Sequence, residues 1–159
     1  MIDVLVWRDP REARVKCSLT PVAGLPGVRI VEVHGRGRLD AGERILLAPE
    51  GQELTAADRG MGLLLIDCAW RKVGSLLRRV DGDLHARRLP RLVTAYPRKS
   101  KTYPDPEEGL ASVEALFAAT LILGEPRFDF LAGYRWREEF LGTNFPHLDR
   151  AGIAGGALP

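Results

Sequence analysis

The sequence predicts an α/β fold with a parallel sheet, and three observations indicate it. Short apolar runs that suit buried strands recur through the first half of the chain, at residues 2–7, 28–33, 45–47 and 63–66. Segments that suit helices separate them, and continuous apolar strands are typical of parallel sheets with helices on both faces. Helical patterns dominate the second half. We therefore expect an α/β lobe over residues 1–92, a mostly helical lobe over 93–145 and a tail over 146–159.

The strands are predicted where apolar residues cluster. Asp9 and Pro10 end the first strand, because proline offers no backbone donor to a sheet. The second alternates apolar and polar residues, and Ala48-Pro49 ends the third. The fourth is continuously apolar and is followed at once by Asp67. A fifth strand is expected at residues 92–95, which read LVTA.

The helices are predicted from the residues at their ends. Thr55 suits the N-cap of a short helix through Asp58, and a second helix is expected over about residues 70–80. Prolines make residues 100–109 a loop.

Residues 111–124, ASVEALFAATLILG, form the clearest helical pattern of the second half. Ser112 is the expected N-cap, and Glu114 suits the positive end of the helix dipole. Gly124 and Pro126 end this helix. One or two further helices, broken near Gly133, follow it. The glycine-rich residues from 151 onward are expected to fray.

Composition indicates a soluble protein of the cytoplasm. The 159 residues are 45% hydrophobic and 28% charged, which excludes a wholly disordered chain. The longest apolar runs fall well short of the ~20 residues that a membrane span needs, and no signal peptide is visible. The two cysteines, Cys17 and Cys68, form neither a disulfide framework nor a zinc motif, which favours a reducing compartment. We expect no metal and no membrane partner.

Positive charge is concentrated in one segment. Residues 71–101 hold ten basic and two acidic residues, a net charge of +8, whereas the other 128 residues sum to −6. Arginine accounts for 19 of the 23 basic residues, and its guanidinium forms paired hydrogen bonds to phosphate. The segment therefore suits the phosphates of a nucleic acid, although a solvated, ion-paired surface gives the same pattern.

Asp67 is the strongest candidate for chemistry. It follows an apolar strand, and the ligands of open α/β sheets sit beyond the carboxyl ends of the strands. A carboxylate there accepts a proton or orients a polar ligand; alternatively, it caps the helix that follows. Trp70 suits either a pocket for a cationic group or the core. The histidines lie far apart in the sequence, without metal-ligand spacing, at positions 34, 85 and 147.

Three segments, taken in order, resemble a known family. They read LLLIDCAW at residues 63–70, RLPRLVTAYP at 88–97 and LASVEAL at 110–116. They are similar to the DCSW, LPxLxAANPVNYG and LSxxEAL motifs of the small-subunit ribosomal RNA aminocarboxypropyltransferases. Near the start, DP followed by KCS at residues 16–18 resembles the family's DPKKCS. YRW at residues 134–136, with Asn144, resembles its C-terminal FxWGxxFLxLN, so the resemblance extends almost throughout the chain.

The chain departs from the family motifs at several positions. Ala69 replaces the serine of DCSW, and residues 11–14 lengthen the first connection. Residues 95–100 replace NPVNYG. The loop YPDPEEGL, at residues 103–110, looks more like the related DTW-domain family, which puts the same group on tRNA uridines. A tRNA substrate is therefore an alternative, as are a non-catalytic RNA-binding assembly factor of ribosomes and a SPOUT methyltransferase.

The resemblance implies a SPOUT-like fold, in which helices flank a parallel sheet with a trefoil knot and the helical lobe completes the cofactor site. It implies S-adenosylmethionine as the cofactor and a uridine or pseudouridine of small-subunit rRNA as the acceptor. The products would be the base bearing a 3-amino-3-carboxypropyl group and methylthioadenosine. It also implies a monomer.

The resemblance assigns roles to side chains at the strand ends. Asp67 is expected to be the catalytic residue, which accepts the proton of the attacking nitrogen or orients the base. Trp70 and Val73 are expected to enclose the methyl group of the cofactor. Ser18 is expected to meet the carboxylate of the aminocarboxypropyl arm.

Backbone groups complete the expected cofactor site. Those at Ile66 and Leu92 would hold the ribose and the amino group, and the start of the LASVEAL helix, from Leu110 to Ser112, would meet adenine. The basic residues expected to hold RNA phosphates are Arg87, Arg88, Arg91, Arg98, Lys99 and Lys101.

Overall fold

The computed structural model describes residues 1–11, 18–97 and 109–150, without the side chains of residues 145, 147, 149 and 150. These residues fold around a five-stranded sheet. Its strands are β1 (Val4–Arg8), β2 (Val28–Glu32), β3 (Leu39–Glu53), β4 (Gly62–Asp67) and β5 (Val80–Arg88). They lie in the order β2-β1-β4-β3-β5, and every pair of neighbours is parallel. The predicted parallel α/β architecture is confirmed.

Both faces of the sheet are buried. Alternate residues of a strand point to opposite faces, so Val4 and Val6 lie in one hydrophobic core and Leu5 and Trp7 in another. The larger core contains Val4 and Val6 and is shared with the second half of the chain. Burial on both faces is the reason that β1 and β4 are continuously apolar.

The described residues form three α-helices beside the sheet. They are α1 (Val73–Leu77), α2 (Ser112–Ile122) and α3 (Arg137–Arg150). Single 3-10 turns occupy Thr20–Val22, Ala56–Asp58, Trp70–Lys72 and Phe128–Leu131. Almost every residue of α2 is buried, so this helix forms the centre of the larger core. Among the described residues, no helix combines the length and the apolar character that a membrane crossing requires.

The first-half helices follow the prediction in part. Thr55 caps the turn at Ala56–Asp58 as predicted: its hydroxyl accepts a hydrogen bond from the Ala57 amide, and the Asp58 carboxylate accepts one from the Thr55 amide. The helix expected over about residues 70–80 is confirmed in part, because helical structure covers residues 70–77 and ends before residue 80. A 3-10 turn and the short α1 stand there, because the chain must re-enter the sheet at Val80.

The ends of the second-half helices also differ from the prediction. Ala111, not Ser112, is the N-cap of α2, and the Glu114 carboxylate accepts a hydrogen bond of 2.8 Å from its amide. Helix α3 runs to Arg150 and so crosses the boundary expected before residue 146. Residues 151–159, expected to fray, lie outside the described residues.

Two strand predictions need correction. The third strand does not end at Ala48-Pro49, because the β3–β5 pairing is irregular between Leu47 and Gln52 and then resumes to Glu53. A bulge accommodates a proline that lacks a backbone donor. The fifth strand is β5, whereas residues 92–95 form no strand.

Candidate functional site

Asp67 lies at the carboxyl edge of the sheet, as the last residue of β4. Its register partner on β1 is Arg8, whose Nε lies 3.6 Å from Asp67 Oδ2. From the other side, Ser112 Oγ donates a hydrogen bond of 2.8 Å to Asp67 Oδ1. The carboxylate is therefore held between the end of β1 and the start of α2. The capping alternative is wrong, because Ala69 is the N-cap of the next turn and no side chain caps that turn.

Ser18 reaches the same place from the segment that follows β1. Its Oγ accepts a hydrogen bond of 3.2 Å from the backbone N of Val113, in the first turn of α2. Ser18 and Ser112 thus lie together at the amino end of this helix, where the helix dipole favours an anion. Leu110, half-buried, leads into the same turn. The structure therefore brings these predicted residues close to Asp67.

The residues around the loop after β4 face a mixed environment. Ile66 and Val73 are half-buried, before and after Asp67 in the chain. The Trp70 side chain is 37% exposed, which makes the core alternative for this residue wrong. An exposed aromatic face beside a strand end is available to a ligand. The contacts of Trp70 and Val73 with a methyl group stay predictions.

The segment after β5 is held by side chains instead of by a neighbouring strand. Asn144 Oδ1 accepts a hydrogen bond of 2.7 Å from the Val93 amide, and Asn144 Nδ2 donates one of 2.7 Å to the Val93 carbonyl. Glu114 Oε2 accepts one of 2.9 Å from the Ala95 amide. These bonds explain why the apolar LVTA run is not a strand: its backbone groups already have partners from α2 and α3. Leu92, the first residue of this segment (residues 92–96), is buried in the larger core.

Glu114 is a buried residue that accepts hydrogen bonds from several elements of the fold. Its carboxylate is inaccessible to solvent and accepts hydrogen bonds from the Ala111 and Ala95 amides, from Thr94 Oγ1 at 2.6 Å and from the Tyr134 hydroxyl at 3.0 Å. Burial, together with the negative charge and hydrogen bonding of Glu114, raises the pKa of Tyr134 well above its ordinary value. Tyr134 therefore stays protonated and donates to Glu114. One carboxylate thus joins the start of α2, the 92–96 segment and the approach to α3.

A second buried carboxylate, Asp9, joins the loops that follow β1 and β4. Arg11 Nε lies 3.0 Å from Asp9 Oδ1, and Lys72 Nζ lies 3.2 Å from Asp9 Oδ2. Burial alone would raise the pKa of Asp9, but the hydrogen bonds from Arg11 and Lys72 outweigh it and lower the pKa to about 2. Asp9 is therefore ionised at neutral pH and fixes the loop that leads to Trp70.

The predicted RNA-binding residues differ in their surroundings. Arg87 Nε donates a hydrogen bond of 3.0 Å to Asp58 Oδ1 in a largely buried ion pair, so its charge is engaged inside the protein. Arg88 is half-exposed and lies 3.5 Å from Glu53, and Arg91 is exposed. The remaining three, Arg98, Lys99 and Lys101, lie outside the described residues.

His85 has acidic neighbours that its sequence position did not indicate. Its Nε2 lies 3.3 Å from Glu43 Oε1 and 3.7 Å from Asp83 Oδ2, because the β3–β5 register pairs Glu43 with Asp83. This group lies well before the carboxyl ends of β3 and β5, away from Asp67.

Several residues of the site were missed in the sequence. Arg8 and Asp9 were read only as the end of a strand, and no role in the site was predicted for Asn144. A signal existed for Glu114, since apolar residues surround it on all sides of the helical pattern and predict a buried charge. None existed for the bond from Ser112 to Asp67, because the two residues are 45 positions apart.

Comparisons with known proteins agree with this architecture. A family model described as the C-terminal part of a ribosome biogenesis protein matches residues 44–152. A solved structure of the SAM-dependent rRNA:acp-transferase Tsr3 from Vulcanisaeta distributa has 29% sequence identity and a TM-score of 0.73. The superposition covers 98% of this chain and 85% of that one.

Two curated relatives are named 16S rRNA aminocarboxypropyltransferase. The one from Vulcanisaeta distributa is 32% identical over 119 residues, which are 70% of this chain and 62% of the relative. The one from Halobacterium salinarum is 32% identical over 138 residues, which are 85% of this chain and 78% of the relative. The matched part thus spans about three fifths of the first relative's length. The resemblance seen in the motifs is confirmed, and the chain belongs to the ribosome biogenesis family that includes the Tsr3 aminocarboxypropyltransferases.

Proposed function

We propose that this protein transfers the 3-amino-3-carboxypropyl group of S-adenosylmethionine to a uridine or pseudouridine of small-subunit rRNA. One observation carries the proposal: Asp67, Ser18 and Ser112 meet at the carboxyl edge of a parallel sheet in a chain of this family. In parallel α/β sheets this edge is where ligands bind. The names of the relatives support both the cofactor and the RNA.

The side chains at this edge suit S-adenosylmethionine. The exposed indole of Trp70 offers an aromatic face to a sulfonium, with Val73 beside it for the methyl group. Ser18 and the amino end of α2 offer hydroxyl and amide donors to a carboxylate. Backbone groups at Ile66 and Leu92, and those from Leu110 to Ser112, are assigned to the ribose, the amino group and adenine.

The cofactor supplies a carbon that its sulfonium activates for attack. A ring nitrogen of the base loses its proton and forms a C–N bond as the C–S bond breaks, and the electron pair of that bond leaves with methylthioadenosine. The protein's task is mainly orientation, because the choice of carbon decides between this transfer and methylation. Asp67 is the residue assigned to the base, which it holds or deprotonates.

RNA is assigned to the basic surface beside the pocket. Arg88 and Arg91 lie at or just after the carboxyl end of β5, on the same edge of the sheet as Asp67. Phosphate contacts of this kind orient an RNA without reading its sequence. The same role is assigned to the basic residues at 98, 99 and 101. Arg87 is a weaker candidate, since Asp58 already pairs with it.

Finer features of the family complete the proposal. We propose a trefoil knot near the cofactor site, a monomer, a location in the cytoplasm and a reaction without a metal ion. The knot predicts that a chain closed into a ring stays compact in denaturant and migrates faster on a denaturing gel than an unknotted ring of equal length. Sedimentation of the purified protein tests the monomer: a dimer at micromolar concentration would contradict it.

The proposed reaction is tested with S-adenosylmethionine labelled either in the methyl group or in the carboxyl group. The protein is incubated with unmodified small-subunit rRNA, with large-subunit rRNA or with tRNA. We expect carboxyl label in small-subunit rRNA and release of methylthioadenosine. Carboxyl label in tRNA alone would support the alternative substrate. Methyl label in RNA would indicate methylation, and cofactor-independent RNA binding without any label would indicate an assembly factor.

A further inference from the structure

Arg8 is a buried charge at the candidate site that no motif assigned. It is the last residue of β1 and only 6% of its surface is exposed. In the sheet it stands level with Asp67 on β4, so both side chains emerge on the same face. That is the face covered by α2, because Val4 and Val6 of the same strand belong to the larger core.

The guanidinium of Arg8 is incompletely satisfied. Its Nε lies 3.6 Å from Asp67 Oδ2, which is an ion pair without the short contact of a good hydrogen bond. Its Nη2 is buried and has no hydrogen-bond partner among the described residues. Buried donors without partners are rare in folded proteins, so this one calls for an explanation.

We propose that Arg8 is a positioning residue for Asp67 in the transfer reaction. This inference rests on the proposed function. Arg8 holds one side of the carboxylate and Ser112 holds the other, so the direction of Asp67 is set before a base arrives. The Nε–Oδ2 distance of 3.6 Å leaves a shorter hydrogen bond between Arg8 and Asp67 still to be made when the site fills.

Arg8 also compensates the negative charge of Asp67. The attacking ring nitrogen becomes negative as it loses its proton, and an uncompensated carboxylate beside it would oppose that charge. With Arg8 buried next to Asp67, the positive charge of the guanidinium offsets the negative charge of the carboxylate. Asp67 then orients the base without repelling its anion. Removal of Arg8 takes away this compensation at the point where a second negative charge develops.

The test compares Arg8→Gln and Arg8→Lys with a matched control, Arg127→Gln. Arg127 is also buried, also pairs with an aspartate and also has a buried Nη atom without a partner, but it lies beyond the opposite end of α2. We expect Arg8→Gln to lower kcat about 100-fold, with KM for S-adenosylmethionine changed less than about threefold. Arg8→Lys should recover part of kcat, and Arg127→Gln should retain it.

Coupling to Asp67 provides a second readout. The double variant Arg8→Gln/Asp67→Asn should be no slower than Asp67→Asn alone, because residues that act as a unit are not additive. In thermal unfolding, the double variant should melt above the value expected from adding the two single losses, since neither charge is then left unpaired. Additive losses of both kcat and melting temperature, or an unchanged kcat in Arg8→Gln, would overturn the inference. If Arg8→Gln does not fold, Arg8→Lys and the double variant carry the same comparison.

RNA labelling by the wild-type protein, compared with the rates of the Arg8 variants, separates this inference from the proposed function. A wild-type protein that labels no RNA would contradict the proposed reaction, whatever the melting temperatures show. A wild-type protein that labels rRNA, together with Arg8 variants of normal rate, would contradict only the role of Arg8.

Discussion

At the scale of single residues, the carboxyl edge of the sheet is built from buried charges with identified partners. Asp67 was predicted from its place after an apolar strand, since that rule depends only on local sequence. Arg8 was not predicted at the site, and Ser112 was predicted there only at the start of its helix, not as a partner of Asp67, because register and helix placement join these residues across long sequence separations. Local pattern therefore identified the acid but not the residues that hold it.

Asp67→Asn tests the role of the carboxylate. The amide keeps the size of the side chain and can still accept from Ser112, but it carries no charge to pair with Arg8. We expect turnover to fall about 100-fold or more, while the affinity for S-adenosylmethionine falls less than about fivefold. Single-turnover rates and calorimetric titration measure the two quantities. Equal losses in both would assign Asp67 to cofactor binding, and an unchanged rate would remove it from the mechanism.

Asp9 makes stability depend on acid pH. Its pKa falls from an ordinary 3.8 to about 2 in the folded protein, so folding favours the ionised form. The associated stability is present above the unfolded value and is lost as pH falls through the folded value. It amounts to about 2 kcal/mol.

Asp9→Asn should therefore lower the free energy of unfolding at pH 7 by about 2 kcal/mol and narrow its gap to the wild type between about pH 4 and pH 2. Urea titrations across this range measure the difference. Asp40→Asn, at an exposed position near the start of β3, is the control and should show a much smaller effect. A gap that stays constant with pH would contradict the role given to Asp9.

At the scale of elements, the fifth strand lies earlier in the chain than the sequence predicted, at β5 and not at residues 92–95. LVTA is apolar and was expected in the sheet, but Asn144 and Glu114 provide its hydrogen bonds. β5 reads VDGDLHARR and lacks an apolar run, because within the described part of the chain it is an edge strand that pairs with β3 alone and stays half-exposed. Strand prediction by apolar runs finds the central strands of a parallel sheet and misses such an edge.

Asn144→Leu tests how far the 92–96 segment depends on α3. The Val93 amide and carbonyl lose their partner, and leucine removes a side chain that is inaccessible to solvent. We expect a loss of stability of about 2 kcal/mol and faster hydrogen exchange at the Val93 amide. The affinity for S-adenosylmethionine should fall about tenfold, since the segment carries a wall of the proposed pocket. Thr143→Ala, at an exposed position on the same helix, is the control. Slow exchange of the Val93 amide in Asn144→Leu would contradict the clamp, that is, the two hydrogen bonds by which Asn144 holds Val93.

At the scale of the whole molecule, folding redistributes the charge that the sequence concentrates. The basic segment over residues 71–101 counts +8 in the sequence, yet the structure pairs several of its members with acids from other segments. Lys72 meets Asp9, Arg87 meets Asp58 and Arg88 meets Glu53. The net charge of the segment is correct, but a sum over the sequence does not distinguish charges that face solvent from charges that join two elements of the fold.

The salt dependence of RNA binding distinguishes an exposed arginine, Arg91, from Arg87, whose charge is paired with Asp58 inside the protein. Arg91→Gln should weaken binding of small-subunit rRNA and reduce the slope of log affinity against log salt by about 0.7, the value for one phosphate contact to single-stranded RNA. Arg87→Gln should instead lower the melting temperature and change the slope less. Arg29→Gln is the control, because Arg29 is exposed on β2, at the opposite edge of the sheet from β5. An equal loss of slope in Arg29→Gln and Arg91→Gln would show that binding follows net charge alone.

The clamp that Asn144 places on Val93 has a consequence for the timing of synthesis. Translation makes the strands first, and a nascent chain that has emerged only to residue 140 contains Asp67, Ser18 and all of α2. It still lacks the side chain that holds the 92–96 segment. On the proposed function, a nascent chain therefore binds S-adenosylmethionine only weakly until residue 144 has left the ribosome, although the residues of the strand ends are already made.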